Sequence, residues 1–419
     1  MLDKKTRDYL SSILERAKKA SLKFDLNTEL KNKLLSKMSK ALLANKEYLL
    51  KENLKDVAKA KRVKSKSFVD RLRLTEKRVK EMANSLQEIA LLKDPVGEVI
   101  SGWRRPNGLE IRKVRVPIGV IFIIYEARPN VTSDCIGLCL KSSNVSILRG
   151  GSLSLNSNRA IFRVLRQVLE SFKIKDLFFL IEESSYEAVN YLLKKGSNFI
   201  DLVIPRGGEE LIKKVVSLSK IPVIKHYKGV CHIYVDEYAD FTKALNILVN
   251  AKVQRPSVCN AVETILVHKN VAQDFLPLLY QEFSKFSVEM RGCQKTCKIL
   301  PQIKRATSKD WPTEYLDLIV SVKVVETIEE AIDHINIYGS AHTDSIITQN
   351  VDNIDRFIKG VQSACVFSNI STRFSDGGQF GLGAEIGIST DKLHARGPMG
   401  LEELTTYKWI VWGQGQIRQ

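Results

Sequence analysis

Cys259 stands between the loop Gln254-Arg255-Pro256-Ser257-Val258 and Asn260, which leads into the apolar run Ala261–Val267. A thiol at a loop-to-element junction is presented to substrate rather than packed away, and as thiolate it is a nucleophile. A helix beginning near Cys259 would lower its pKa through the N-terminal dipole and offer backbone N–H groups to a developing oxyanion. The alternative is a structural cysteine, because free cysteines are often buried.

Three other stretches carry residues suited to binding. They are Glu126-Ala127-Arg128-Pro129-Asn130, Arg149-Gly150-Gly151-Ser152 and Pro205-Arg206-Gly207-Gly208, and each follows an apolar strand candidate. Glycines let backbone come close to a ligand, and helix N-termini favour anions, so two Arg-Gly-Gly turns point to a phosphate-bearing ligand. Ordinary βα turns are the other explanation. The chain has no G-x-G-x-x-G after its first strand and no G-x-x-x-x-G-K-[ST]; the Gly381–Gly387 run is one residue off the first pattern and lies too late to open a sheet. Cys135/Cys139 and Cys293/Cys297 are spaced C-x₃-C without nearby histidines, which reads as packing, and the six histidines form no H-E-x-x-H-like cluster. No metal is expected.

The elements that must position these residues follow from periodicity. Residues 1 to about 93 read as helix, with Leu10, Ile13, Leu14 and Ala17, and then Leu30, Leu34, Leu35 and Met38, at helical spacing. Asp94-Pro95-Val96-Gly97 ends this region, and 99–116 reads as a hairpin around Pro106-Asn107-Gly108. Strand candidates at 118–124, 145–149, 177–181, 200–204 and 222–225 alternate with helices such as 155–172 and 209–218. A second βα series follows, with strands at 231–235, 263–268, 317–325, 343–348 and 364–368. The expected class is therefore α/β, with parallel sheets covered on both faces and ligands bound at the carboxyl ends of strands.

A chain of 419 residues holds two or three domains with full cores. With 44% hydrophobic and 27% charged residues it has the composition of a soluble protein, and no apolar run is long enough to span a membrane. Met1-Leu2-Asp3-Lys4-Lys5 lacks the apolar core of a secretion signal, and seven cysteines, an odd number, form no disulfide framework. A reducing cytoplasm is expected. The net charge is +18, and the first 100 residues hold 25 Lys and Arg against 14 Asp and Glu. These charges are scattered among acids on helical repeats without aromatic interleaving, so a solvated face is favoured over a nucleic-acid surface.

Four blocks carry a resemblance. They are Val116–Val131, Val253–Ala261, Val325–Ile346, and Phe380–Thr390 continuing into His394–Leu401. In these blocks the chain resembles the glutamate-5-semialdehyde dehydrogenases (gamma-glutamyl phosphate reductases) of the aldehyde dehydrogenase superfamily. The resemblance implies an aldehyde dehydrogenase-like fold. An NADP-binding domain would take 1–98 and 117–229, a catalytic domain 230–402, and an oligomerisation hairpin and tail 99–116 and 403–419. It implies NADPH-dependent reduction of L-glutamyl 5-phosphate to L-glutamate 5-semialdehyde on the way to proline; the alternative is another superfamily member acting on a different aldehyde or acyl-CoA. Cys259 matches the nucleophile and Asn130 the oxyanion donor, although an asparagine there also suits a helix N-cap. For the cofactor, Arg149 stands where relatives place a lysine near the adenosine ribose, with Gly150 and Gly151 beside it. Pro205, Arg206, Gly207 and Gly208 would lie near the pyrophosphate or adenine, and Glu314 matches the nicotinamide-ribose glutamate, with an exposed surface glutamate as the other possibility. Arg128, Arg255 and Arg373 are candidates for the anionic ends of the substrate, Glu385 for its ammonium, and the Ser371–Gly378 loop for closing over it. The hydrolytic enzymes' glutamate base is missing from Ile224-Lys225-His226-Tyr227-Lys228-Gly229, where His226 could stand in for it. The tail Thr405–Ile417 is expected to add as a strand to a neighbouring subunit, giving at least a dimer. With no kinase domain in the chain, the acyl phosphate is expected from a separate glutamate 5-kinase.

Overall fold

A computed structural model describes residues 2–63, 66–126 and 128–418, without the side chains of 66 and 67; Ala127 of the Glu126–Asn130 stretch lies outside the described residues. The chain divides into two compact units. One runs to Lys225 and takes in Gly381–Gly387 and the chain from Met399 on; the other comprises His226–Phe380 and Ile388–Pro398. The hairpin and tail belong to the first unit rather than standing apart.

In the first unit the predicted helical region forms five helices, Lys4–Leu22, Thr28–Ala44, Lys46–Ala60, Lys66–Leu72 and Glu76–Leu91. Three start where a side chain accepts from an otherwise orphaned N–H: Asp3 from Thr6, Asn27 from Leu30 and Thr75 from Arg78. Their apolar stripes are buried, as Leu10, Ile13, Leu14 and Ala17 show. A four-stranded parallel sheet runs in the order Phe178–Leu180, Val145–Gly150, Val120–Tyr125, Leu202–Arg206. Every residue of Val120–Tyr125 is buried, so the strand reads as one apolar run instead of alternating. The predicted strand 222–225 is absent except for one bridge, Val203 to Val223. Pro222 has no N–H to give, and only its carbonyl, accepting from Val203, joins the ladder.

The hairpin Val99–Arg104 and Glu110–Pro117 forms as expected, but the terminal strand Thr405–Trp412 pairs antiparallel with Glu110–Pro117 of its own chain. The tail is therefore not a free end. Trp103 and Trp409 meet edge to face at 5.6 Å, and Lys113 lies 3.7 Å over the Tyr407 ring.

The second unit holds a seven-stranded parallel sheet. Its order is Lys304–Arg305, Glu289–Gly292, Ile319–Val325, Val262–His268, Cys231–Val235, Thr343–Ile347, Cys365–Ser368. The short strands Lys304–Arg305 and Glu289–Gly292 at one side of the sheet had no sequence signal. Ile233, Val235, Val262, Ile265, Phe275 and Leu279 form the core between this sheet and its helices. Among the described residues no helix is long and apolar enough to cross a membrane.

Candidate active site

The helix Phe241–Val253 ends before the loop that carries Cys259, and the strand Val262–His268 begins three residues after it. No helix starts at Cys259, so the expected dipole assistance is absent. The thiol has other partners. His226 and His342 converge on it, with one ligand atom from each of the three residues within 4.8 Å of the others. Burial pushes the Cys259 thiol up, but the charge of His342 and the hydrogen bonds from His226 and His342 outweigh it, so the thiol is held well below its usual range. The two rings stand edge to face at 5.6 Å. His226 Nδ1 lies 2.8 Å from the Ile388 carbonyl. A carbonyl only accepts, so Nδ1 carries a proton, and Nε2 is the nitrogen left for another partner. His342 is buried at the start of the Thr343–Ile347 strand, with Nδ1 2.9 Å from Thr343 Oγ1.

No role had been read for His342, because 116 positions separate the two histidines and no local spacing joins them. The one available signal was its place directly before a predicted strand, opposite the end from which ligand-binding loops usually leave.

Backbone packing fixes the thiol. The Cys231 thiol donates to the Cys259 carbonyl at 3.2 Å. Gly229 lies so close that a Cβ there would come 1.9 Å from the same carbonyl oxygen. Gly229→Ala should therefore displace the nucleophile loop and destabilise the protein by about 1–3 kcal/mol, measured as a lower urea midpoint with unchanged slope. The Gly229 N–H donates to Glu314 Oε1 at 2.9 Å. Glu314 is thus half-buried beside the thiol rather than a free surface glutamate, and burial pushes its carboxyl up, against the Gly229 bond. One turn away the Leu316 N–H donates to Glu263, whose other oxygen holds Lys252 at 2.7 Å with both side chains fully buried. Burial pushes the Glu263 carboxyl up to about 7, with Lys252 opposing the rise. These two residues went unremarked in the sequence; they anchor the segment that carries Glu314.

Arg373 is clamped beside the same loop. Its Nε donates to Gln254 Oε1 at 2.8 Å and its Nη1 to Asn260 Oδ1, while Asn260 Nδ2 donates to the Ser375 carbonyl at 2.9 Å. Burial and the nearby Arg255 guanidinium lower the Arg373 pKa, the effect expected where two cations share a small space. Ser371 is buried and its hydroxyl accepts from the Arg373 N–H at 3.3 Å, so it shapes the Arg373 turn.

In the first unit Asn130 opens the helix Asn130–Lys141, but Pro129 takes the cap position without a side-chain bond. Asn130 is exposed, and its Nδ2 donates to Asp134 Oδ2 at 2.9 Å. Burial pushes the Asp134 carboxyl up to about 6, opposed by the Asn130 and Ser85 hydrogen bonds; Glu385 raises it further and Arg206 lowers it. Arg206 and Glu385 lie 4.0 Å apart. Asn130, Arg206 and Glu385 are thus gathered around Asp134, a residue the sequence did not single out. Arg128 is half-buried just before this helix.

Arg149 lies at the end of its strand, 6% exposed. Its Nη2 donates to the Ser184 carbonyl at 2.6 Å, and its guanidinium sits 5.8 Å over the Tyr186 ring. Its Nε is buried and has no hydrogen-bond partner, an unspent donor that suits an anionic ligand group. The glycines divide by role. Gly150 makes room for Asn158, whose Nδ2 would lie 1.9 Å from a Cβ, and Gly207 makes room for Leu211 and the Glu126 carboxylate. Glu126 also accepts from the Gly208 N–H at 3.2 Å, so this helix N-terminus already holds a carboxylate. Gly151 and Gly208 face more open space, and Pro205 sits within its strand paired with Ile124.

Comparison with known proteins agrees with this architecture. A model of the aldehyde dehydrogenase family matches residues 2–317. A gamma-glutamyl phosphate reductase of Caldanaerobacter subterraneus subsp. tengcongensis is 56% identical over 408 residues, 97% of this chain and 98% of that one. One from Nautilia profundicola is 53% identical over 413 residues, 98% of this chain and all of that one. Among solved structures, gamma-glutamyl phosphate reductase from Thermotoga maritima superposes with a TM-score of 0.94 at 47% identity, covering 98% of this chain and 100% of that one. An acetylating aldehyde dehydrogenase from Geobacillus thermoglucosidasius shares the fold at a TM-score of 0.71 and 15% identity, covering 99% and 98%.

Proposed function

The chain belongs to the aldehyde dehydrogenase family, and from that premise we propose that it reduces L-glutamyl 5-phosphate to L-glutamate 5-semialdehyde with release of phosphate, in proline biosynthesis. The observation that carries this is the Cys259 thiol held between His226 and His342. The shared name of relatives at 50–57% identity supports the substrate.

Cys259 Sγ attacks the acyl carbon, and the imidazoles hold the proton it has lost. The Cys259 N–H and the Asn130 amide are the proposed donors to the tetrahedral oxyanion. The oxyanion collapses, the bond from the acyl carbon to the bridging oxygen breaks, and phosphate leaves with that oxygen and the electron pair. The product is a thioester on Cys259. NADPH, when bound, supplies a hydride to that carbonyl carbon. Proton return from the histidine pair then lets the C–S bond break, releasing aldehyde and thiol. No carboxylate stands in Ile224–Gly229, where the hydrolytic enzymes carry their water-activating base. Arg373, Arg255 and Arg128 are proposed for the substrate's anionic groups, Glu385 for its ammonium, and Ser371 for holding the Arg373 turn.

The residues fit the cofactor. Arg149 with its unspent Nε is proposed for the 2′-phosphate, and Gly150, Gly151, Pro205, Arg206, Gly207 and Gly208 for the adenine and pyrophosphate surroundings. Glu314 is proposed for the nicotinamide ribose. Arg149→Ala should raise KM for NADPH by roughly 10–100-fold, the worth of a charge-assisted hydrogen bond, and leave NADH little changed. Equal losses with both would remove the assignment.

The exposed Trp103, Tyr407, Trp409 and Val411 give the three-stranded sheet an apolar face, proposed to pack on a second copy of the chain. Sedimentation should find a dimer or larger at micromolar concentration; a stable monomer would exclude it. The acyl phosphate is proposed to come from a separate kinase in a reducing cytoplasm. The reaction is tested in reverse. Glutamate semialdehyde, phosphate and NADP⁺ should generate NADPH; a rate that needs coenzyme A instead of phosphate would overturn the proposal in favour of an acyl-CoA enzyme.

A further inference from the structure

We propose that Cys259 Sγ and the ring nitrogens of His226 and His342 form a binding site for a soft divalent cation of the Zn²⁺ class, and that its occupancy reversibly stops the enzyme by engaging the nucleophile. The inference rests on the geometry of three donors and does not need the reaction proposed above. One donor atom from each residue lies within 4.8 Å of the other two. Tetrahedral zinc, with Zn–S of about 2.3 Å and Zn–N of about 2.0–2.1 Å, spaces its donors about 3.5 Å apart. Donors within 4.8 Å of one another need to close by at most about 1.3 Å to reach that geometry.

The surroundings orient the donors. His226 Nδ1 donates to the Ile388 carbonyl at 2.8 Å, which leaves the Nε2 lone pair for a metal. Metal-binding histidines are commonly fixed in this way, with the far N–H tied to a carbonyl. His342 Nδ1 lies 2.9 Å from Thr343 Oγ1 and 3.7 Å from Cys231 Sγ, contacts that fix the ring beside the thiol. Cys231 also donates to the Cys259 carbonyl and so stiffens the loop bearing the sulfur. A set of one sulfur and two imidazole nitrogens suits Zn²⁺, Co²⁺ or Cu²⁺ and not Mg²⁺ or Ca²⁺, which demand oxygen. Three protein donors leave a fourth position for water or for an oxygen of phosphate or carboxylate.

The test uses the purified full-length protein. One equivalent of Zn²⁺ at micromolar concentration should remove nearly all activity, and EDTA should restore it; millimolar Mg²⁺ should do neither. Co²⁺ should give a thiolate-to-metal charge-transfer band that Cys259→Ser lacks. His226→Ala and His342→Ala should each weaken Zn²⁺ binding, read with a competing dye, by roughly tenfold or more. In the unsubstituted protein, Zn²⁺ should slow alkylation of Cys259 by iodoacetamide about tenfold or more, a measurement that needs no variant to fold. Zn²⁺ binding undiminished in Cys259→Ser, or alkylation at an unchanged rate with Zn²⁺ present, would overturn the site. Active enzyme indifferent to Zn²⁺ would overturn this inference alone, whereas a protein with the cobalt band but no reverse reaction would overturn only the proposed function.

Discussion

Replacing Cys259 with alanine should lower turnover by roughly 10⁴-fold or more while leaving NADP⁺ binding and the urea midpoint nearly unchanged. The size of the loss follows from covalent catalysis, since no second nucleophile can take the position. Of the other thiols, Cys231 is the near one, but burial pushes its pKa well above the ordinary value and its S–H is committed to the Cys259 carbonyl. Cys135 and Cys139 are likewise buried and pushed up. The side chain of Cys259 is only half-buried, so its removal leaves no large cavity. NADPH formation in the reverse direction and NADP⁺ binding by fluorescence would be measured on the same preparation. A variant that still turns over at more than a small fraction of the parent rate would remove the thioester mechanism.

The second large effect belongs to the histidine pair. His226→Ala combined with His342→Ala should reduce kcat/KM by about 10²-fold or more, the usual worth of a positioned proton acceptor. The mechanism is visible without turnover. With both imidazoles in place the thiol is held well below its usual range, so the thiolate fraction at a given pH is raised. Without them burial is left to act alone and pushes the thiol up, toward or beyond an ordinary cysteine with only a few per cent thiolate at pH 7. Iodoacetamide alkylation of Cys259 at pH 7 should therefore slow by roughly 30-fold or more. The pH dependence changes in a definite sense. Reactivity in the parent should persist to lower pH than in the variant, where it should rise about tenfold per pH unit until the ordinary thiol range is reached. Equal alkylation rates in both proteins would show that the imidazoles do not set the state of the thiol.

What could be read from the chain depended on whether the signal was local. Val120–Tyr125 and Val262–His268 were legible as strands because a strand covered on both faces must be apolar almost throughout. The helical region to residue 93 was legible because one face of each helix repeats its apolar residues at helical spacing. Glu289–Gly292 and Lys304–Arg305, four and two residues long at one side of the sheet, offered little or no alternation to recognise. The 222–225 segment looked like a strand by composition and failed because a proline withheld a donor.

The candidate site divides along the same line. Cys259 was identifiable from its neighbours in the chain, as were the glycine-bearing turns, because exposed junctions and flexible turns leave composition signatures. The helix dipole expected beside Cys259 was wrong because the loop is entered from a helix C-terminus and left into a strand. Gly150 and Gly207 were read as openings for a ligand, yet their missing side chains are filled by Asn158 and by Leu211 and Glu126.

By itself, then, the order of residues determined most of the element types and the α/β class and singled out Cys259 as the candidate nucleophile, all readings set by groups a few bonds apart. Only the tertiary structure decided what makes that sulfur reactive and which groups hold Asn130, Glu314 and Arg373 in place. The partners concerned, His226 with His342, Asp134 with Glu385, Gly229 with Glu314 and Asn260 with Arg373, are in most cases separated by roughly a hundred residues or more and share no period. Electrostatic and hydrogen-bond energies depend on distance in space, and a sequence records only distance along the backbone.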